Sequence, residues 1–383
     1  MLKHYISWQI RKWWPMLLIF SIILTVTALY TNAFTTMAVR YYDNGSEYVP
    51  YYSFSSTTSN MPSLFIVGLV LSLVMSLFVF SYRTRRQSVD VFYQAAYAPT
   101  TIKRVRLLIG LAILLLSMLI AFLLGTTVFL LRYVSTPAEE IKNNIKFVRI
   151  SVHWGMYFLS FFLTFIFVGL HYLINCFLVS LGDYTFDQIC LLIFGNIFLA
   201  LCFTSPVIYF DAALMKHGVL NDYMWYPALY SLGPVGPVAL VTTTMEQAIF
   251  QRDVAGDFAV NAVVSSSIYA LGGIGALAFN LFVPDPSGEH ADQAGARNQA
   301  VAMIPHGAAA VLGMLMAALG LINDVSVLAL SILPIFGFIL FSVVYYALLA
   351  LWRHSFRMKK FDLICYVSVV GGTLVMLTFA MAL

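Results

Sequence analysis

Two polar residues stand inside one long apolar run: His171, beside Tyr172, and Asn175 one helical turn later. An imidazole and an amide at i, i+4 share a helix face. Together they could line a polar pathway, and an ionisable group inside an apolar span is a functional candidate by default. His306, after Pro305, and Asp211, at the end of another run, are of the same kind. The simplest role for either histidine is a neutral, hydrogen-bonded packing residue, and for Asp211 a solvated cap. Little else suits catalysis. His153, His217 and His290 are scattered and have no partner at metal-ligand spacing. No HExxH, CxxC or GxSxG motif occurs, and no Gly-Lys pair exists from which a phosphate-cradling P-loop could be built. No catalytic constellation, cofactor site or metal site is therefore expected in this chain. The carboxylates that a proton-coupled carrier keeps on its pathway are expected here in loops or at the ends of apolar runs.

A second constellation suits binding rather than catalysis. In RTRRQSVDVFYQAAYAPTTIKRVR, residues 83–106, six cations stand three at each end of a half-apolar centre. Ser88 can cap a helix, and Asp90 lies in its first turn against the dipole. Val89, Phe92, Tyr93 and Ala96 then fall on one face. Pro99 stops that helix, and Thr100 or Thr101 can cap the next, which carries Lys103 and Arg104. The product is a short amphipathic helix, about 88–97, held roughly parallel to a membrane. Its apolar face is too small for a core. It fits a lipid surface, with the cations on anionic headgroups, or the groove of a soluble partner.

The elements that hold these groups follow from composition. The 383 residues are 61% hydrophobic and 10% charged, far from the roughly 25% charged of soluble domains. Apolar runs of about 20 residues recur along the chain, each enough to cross a bilayer as a helix. Lipid offers no partner to open backbone groups, so helices are expected. The pattern predicts an all-α, polytopic membrane protein with nine spans, near 15–38, 63–82, 107–131, 154–181, 188–210, 257–283, 301–322, 327–352 and 362–382. Lys and Arg collect in cytoplasmic loops. With the N-terminus inside, Lys3, Arg11, Lys12, the six cations of 83–106, Arg353, Arg357, Lys359 and Lys360 all become cytoplasmic. Residues 1–14 mix cations with Trp8, Trp13 and Trp14, as an interfacial amphipathic helix does. The first run is too long for a signal core and is expected to remain as a span. Cys176, Cys190, Cys202 and Cys365 all fall in apolar runs and read as small buried hydrophobes. No basic tract suits nucleic acid.

Residues 211–255 are ambiguous. Trp225–Val241 is apolar enough for a span, but Pro227, Pro234 and Pro237, with Gly233 and Gly236, are expected to break a helix. An outer-side dip or hairpin buried against protein is expected instead.

The order Ser88-Val89-Asp90, Phe92-Tyr93, Pro99 and Lys103-Arg104 resembles the cytoplasmic loop of permease subunits of ATP-binding-cassette (ABC) exporters of the type-2 class, closest to a group common in Gram-positive bacteria. Gly288-Glu289 with Ala294-Gly295, and Tyr345-Tyr346 followed by Arg353-His354-Ser355-Phe356-Arg357, resemble further motifs of that group. The spacing from Asp90 to Pro99 is longer than the family pattern, and Glu289 lacks a preceding Ser. The resemblance implies a six-span permease core over 15–283, with a cytoplasmic loop and three further helices over 284–383. It implies a plasma-membrane location and a separate ATPase dimer that carries ATP and Mg. Helix 88–97 would be the coupling helix. The loop Gly182–Asp187, with Asp183 and Asp187, would be a second ATPase contact. Segment 211–255, with Pro227, Pro234 and Pro237, would be an outer gate, and a second permease chain would complete the pathway. An aromatic-rich interior suits export of an amphipathic or lipophilic cargo such as a peptide, lipid or drug. The alternative is a secondary carrier or membrane sensor with no ATPase partner.

Overall fold

The computed structural model describes residues 2–34, 37–43, 48–54, 60–84, 99–131, 140–141, 145–146, 153–182, 185–202, 205–206, 208–209, 235–250, 256–283, 299–322, 327–352 and 355–382. The chain is predominantly helical. Among the described residues the helices are α1 (Leu2–Phe34), α2 (Asn60–Thr84), α3 (Pro99–Phe129), α4 (Trp154–Ser180), α5 (Thr185–Leu201), α6 (Val235–Phe250), α7 (Gly256–Phe282), α8 (Gln299–Ile322), α9 (Val327–Trp352) and α10 (Lys360–Ala382). Among the described residues six helical stretches are long and apolar enough to cross a membrane: Lys3–Thr31, Met61–Ser81, Thr100–Phe129, Trp154–Ser180, Ala262–Phe282 and Lys360–Thr378. This is a multi-pass membrane protein.

Several boundaries differ from expectation. α1 runs unbroken from Leu2, so residues 1–14 do not form a helix separate from the first span. Pro15 lies at their junction. α3 begins at Pro99 rather than after a Thr cap. Proline suits the first helical position because its missing N–H would find no intrahelical acceptor there. α5 ends at Leu201, well short of residue 210. Residues 205–206 and 208–209, further along the expected span, are again helical. α6 opens with Val235, Gly236 and Pro237, so Pro237 starts a helix that it was expected to break; a first turn tolerates proline.

A small antiparallel sheet accompanies the helices. Strands β1 (Met37–Asp43) and β2 (Tyr48–Phe54) follow α1, and β3 (Glu140–Ile141) and β4 (Ile145–Lys146) follow α3. The order is β2-β1-β4-β3, with Val39 opposite both Tyr52 and Lys146. Tyr and Val favour strands, and Pro50 is tolerated because β2 is an edge strand.

The chain divides into two compact units, Met1–Met75 with Arg104–Tyr172 and Pro237–Ala259, and Ser76–Lys103 with Leu173–Gly236 and Val260–Leu383. The first packs Leu24, Leu64, Phe65, Met118 and Val168 into its core. Helix-to-helix hydrogen bonds cross it. Tyr172 donates to the Leu107 carbonyl at 2.9 Å, Ser160 to that of Val241 at 3.4 Å, and Thr126 meets the Tyr157 hydroxyl at 2.9 Å. α6 is thus buried against protein, with Val241 and Met245 nearly inaccessible. In the second unit α8 packs along both α5 and α10. The helices that follow residue 283 are therefore part of this unit's core.

Candidate functional site

One end of the second unit gathers three helix ends. Trp352, in the last turn of α9, is buried against Cys190 and Leu191 of α5, with Leu181, Phe194 and Ile304 around them. This packing brings two turns to the same end, and each is braced internally. In the first, Gln188 Nε2 donates to the Gly182 carbonyl at 3.2 Å, and the Gly182 amide donates to Val179 at 3.1 Å. A Cβ at Gly182 would come within 2.9 Å of the Gln188 amide nitrogen, so the turn needs glycine for close approach. In the second, the Tyr346 hydroxyl donates to the Phe356 carbonyl at 2.9 Å, the Arg357 amide to Ser355 Oγ at 3.1 Å, and the Ser355 amide back to Ala350 at 3.0 Å. The braced turns present aromatic rings to the outside. Phe356 is 83% exposed and Phe186 38%. Neither ring was singled out as a site residue from the sequence. Phe356 was legible only as part of the Ser-Phe-Arg motif, and exposure at Phe186 depends on the turn.

Beneath this surface lies a buried polar cluster. His306 on α8 faces Tyr345 on α9 through Nδ1, at 2.5 Å, and Asp362 on α10 through Nε2, at 3.3 Å. All three are buried. The carboxylates Asp187 and Asp362 stand at span ends as expected, but they are covered. They lie in the first turns of α5 and α10, and each is only 1% exposed. Helix N-termini favour carboxylates, and the neighbouring helices then cover them.

The candidate pathway residues His171 and Asn175 are both buried on α4. Asn175 Oδ1 accepts from Asn196 Nδ2 on α5 at 2.9 Å, and the same nitrogen donates to the Leu192 carbonyl at 2.7 Å. This is an interhelical clamp of the kind that holds membrane helices together. Of the candidate coupling residues, Ser88, Val89, Asp90, Phe92, Tyr93 and Asp183 lie outside the described residues, as do Pro227, Pro234 and Asp211. Lys103 is buried, donating to the Val283 carbonyl at 3.4 Å with its ammonium 5.8 Å from the Phe279 ring centre, whereas Arg104 is exposed. A surface contact at this point therefore falls to Arg104. Among the described residues no group of three or more His, Cys, Asp or Glu is placed to hold a metal ion.

No protein-family model, no curated protein and no solved structure matches the chain.

Proposed function

We propose that this chain is the permease subunit of an ABC exporter, with nine spans, a cytoplasmic N-terminus and a separate ATPase bound at its inner face. The observation that carries the reading is the pair of braced turns with exposed Phe186 and Phe356. A membrane subunit driven by a soluble motor needs rigid, partly apolar knobs at one end, because a loose loop would absorb the motion it must pass on. Apolar anchors in a partner's groove are how short helices and turns dock. In this reading the segment 88–97, through Phe92 and Tyr93, is the main coupling element. The turns at Gly182 and at 355–357 would supply further contacts. ATP and Mg reside on the partner, a second permease chain faces this one in the plasma membrane, and the cargo is amphipathic or lipophilic.

The test is co-purification of this chain with an ABC ATPase from the same cells, for the wild type and for Phe92→Ala with Tyr93→Ala. The ATPase should come down with the wild type and be lost with a variant that still reaches the membrane. If no ATPase is captured, or capture ignores the substitutions, the reading fails.

A second reading, a secondary carrier, is favoured by one observation. Such carriers keep ionisable groups among their helices, and His306 with Asp362 is such a pair. A carrier would drive uptake or efflux in proteoliposomes from an ion gradient alone, with no ATPase present.

A further inference from the structure

The turn that presents Phe356 is tied to the helices at both of its ends. On one side the Tyr346 hydroxyl of α9 donates to the Phe356 carbonyl at 2.9 Å. On the other, Met358 packs on the buried Ala309, Tyr345 and Leu349. One helical turn further, Asp362 meets His306 Nε2 at 3.3 Å. Tyr345, the chain neighbour of Tyr346, meets the other ring nitrogen. Tyr366 of α10 packs on both tyrosines and donates to the Ser342 carbonyl of α9 at 3.1 Å. These contacts converge on α8 at His306 and Ala309, which share a face at i and i+3. The adjoining face of α8, with Ile304 and Gly307, meets α5. Ile304 packs on the cluster of Cys190, Leu191 and Trp352, and a Cβ at Gly307 would come within 3.0 Å of the Phe198 ring. Ile304 and Phe198 also line an apolar cavity of about 450 Å³.

A buried imidazole and carboxylate are a poor way to gain stability, since well-packed apolar side chains of the same volume often do as well or better. What such a contact adds is register, because it is satisfied in one arrangement of the helices that carry it. Here it fixes α8, α9 and α10 relative to each other beside the turn that shows an exposed ring. Close packing on the α5 side leaves no slack to absorb a shift of α8. We infer that His306 is a positioning residue. It sets the Phe356 turn in register with α8, so that a load on the turn is delivered to α8 and through it to α5 and the cavity wall. The load rests on the reading of Phe356 as a ring that docks a partner; the link from turn to helix lies within this chain and does not.

The experiment follows amide hydrogen exchange by mass spectrometry in the full-length protein in mild detergent. Coupling is reciprocal, so a change at His306 should be felt in the turn. The Ser355 and Arg357 amides are both hydrogen-bonded there. His306→Gln should speed their exchange about fivefold, the low end of coupling between sites. Tyr345→Phe removes only a hydroxyl and should act in the same direction, and it keeps the inference testable if the His306 variant does not fold. Gly313→Ala disturbs α8 against α10 two turns away and should leave both amides at the wild-type rate, because surface turns exchange by local opening. Unchanged exchange in the His306 and Tyr345 variants overturns the inference. So does equal acceleration in Gly313→Ala, which would mean general loosening. The same measurement is then made with captured ATPase and MgATP. Exchange in α8 should change for the wild type, and His306→Gln should retain the ATPase but lose that change. A change that survives His306→Gln overturns the inference. Failure of the wild type to capture any ATPase sinks the permease reading instead, and the turn amides of the free chain then decide whether His306 positions the turn.

Discussion

His306 Nε2 and Asp362 Oδ1 meet at 3.3 Å although 56 residues separate them. With Tyr345 on the other ring nitrogen, one imidazole joins α8, α9 and α10. A neutral ring satisfies both contacts, accepting from the tyrosine hydroxyl at Nδ1 and donating to the carboxylate from Nε2. The pair packs where Phe361 approaches the imidazole edge-on and Tyr366 lies against Tyr345.

Asp362→Ala removes one partner of this buried contact and leaves the other facing an apolar wall. Breaking a buried charge-bearing pair costs about 3 kcal/mol, whereas an ordinary hydrogen bond between membrane helices contributes about 0.6 kcal/mol. We expect the larger loss for Asp362→Ala in equilibrium unfolding in mild detergent. His306→Ala with Asp362→Ala should lose less than the two single variants summed, by at least 1 kcal/mol. Additive losses would mean that the two residues stabilise the helices separately.

Gly313 sets how closely α8 approaches α10. A Cβ there would fall on Thr373 Oγ1, with the Thr373 Cβ at 3.3 Å. That hydroxyl is already committed, donating to the Val369 carbonyl at 2.8 Å, so the β-branched side chain cannot turn aside freely. Gly313→Ala should destabilise by about 1–3 kcal/mol through overpacking. Thr373→Ala should restore most of it in the double variant, read as recovery of the detergent melting temperature. A Gly313→Ala protein as stable as wild type would show that the helices can simply part.

Helix extents were largely legible before any coordinates. The expected span 327–352 coincides with α9, and 257–283 differs from α7 by one residue, because a membrane span is written in consecutive apolar residues. What needed tertiary structure was which polar residues are covered. Asp187 and Asp362 each stand in a first helical turn, where a carboxylate reads as a solvated N-terminal residue. Only packing against other helices shows otherwise. Lys103 shares this ambiguity with Arg104, its exposed neighbour in an evidently basic stretch. The sheet went unread because β1 and β2 pair with each other across a short connection, and β4 joins β1 from a hundred residues downstream. No periodicity within either segment encodes that pairing.

Nine spans with the N-terminus inside require the two termini to lie on opposite faces of the membrane. A green fluorescent protein fused at the N-terminus should fluoresce, since it matures in the cytoplasm, and alkaline phosphatase fused at the C-terminus should be active, since it needs the outer side. A C-terminal fusion that is silent for phosphatase but fluorescent with the other reporter would demand an even number of spans. The stretch 225–241, of which residues 235–241 lie in α6, would then be the first place to look for the tenth.

The exposed rings at one end of the second unit separate docking from folding. Phe356 is 83% exposed, so replacing it with alanine removes little packing, and the substitution should change stability by no more than about 0.5 kcal/mol. If these rings anchor an ATPase, Phe356→Ala should weaken its binding by about 2 kcal/mol, near thirtyfold, as a central aromatic anchor does. Gly182→Ala should act differently. Its Cβ meets backbone at Gln188, so the turn itself must move, and both stability and ATPase capture should fall. The informative result is the contrast. A Phe356→Ala chain that folds and melts as wild type yet no longer retains an ATPase assigns the ring to the partner. One that loses stability in step with binding makes Phe356 part of this protein's own packing.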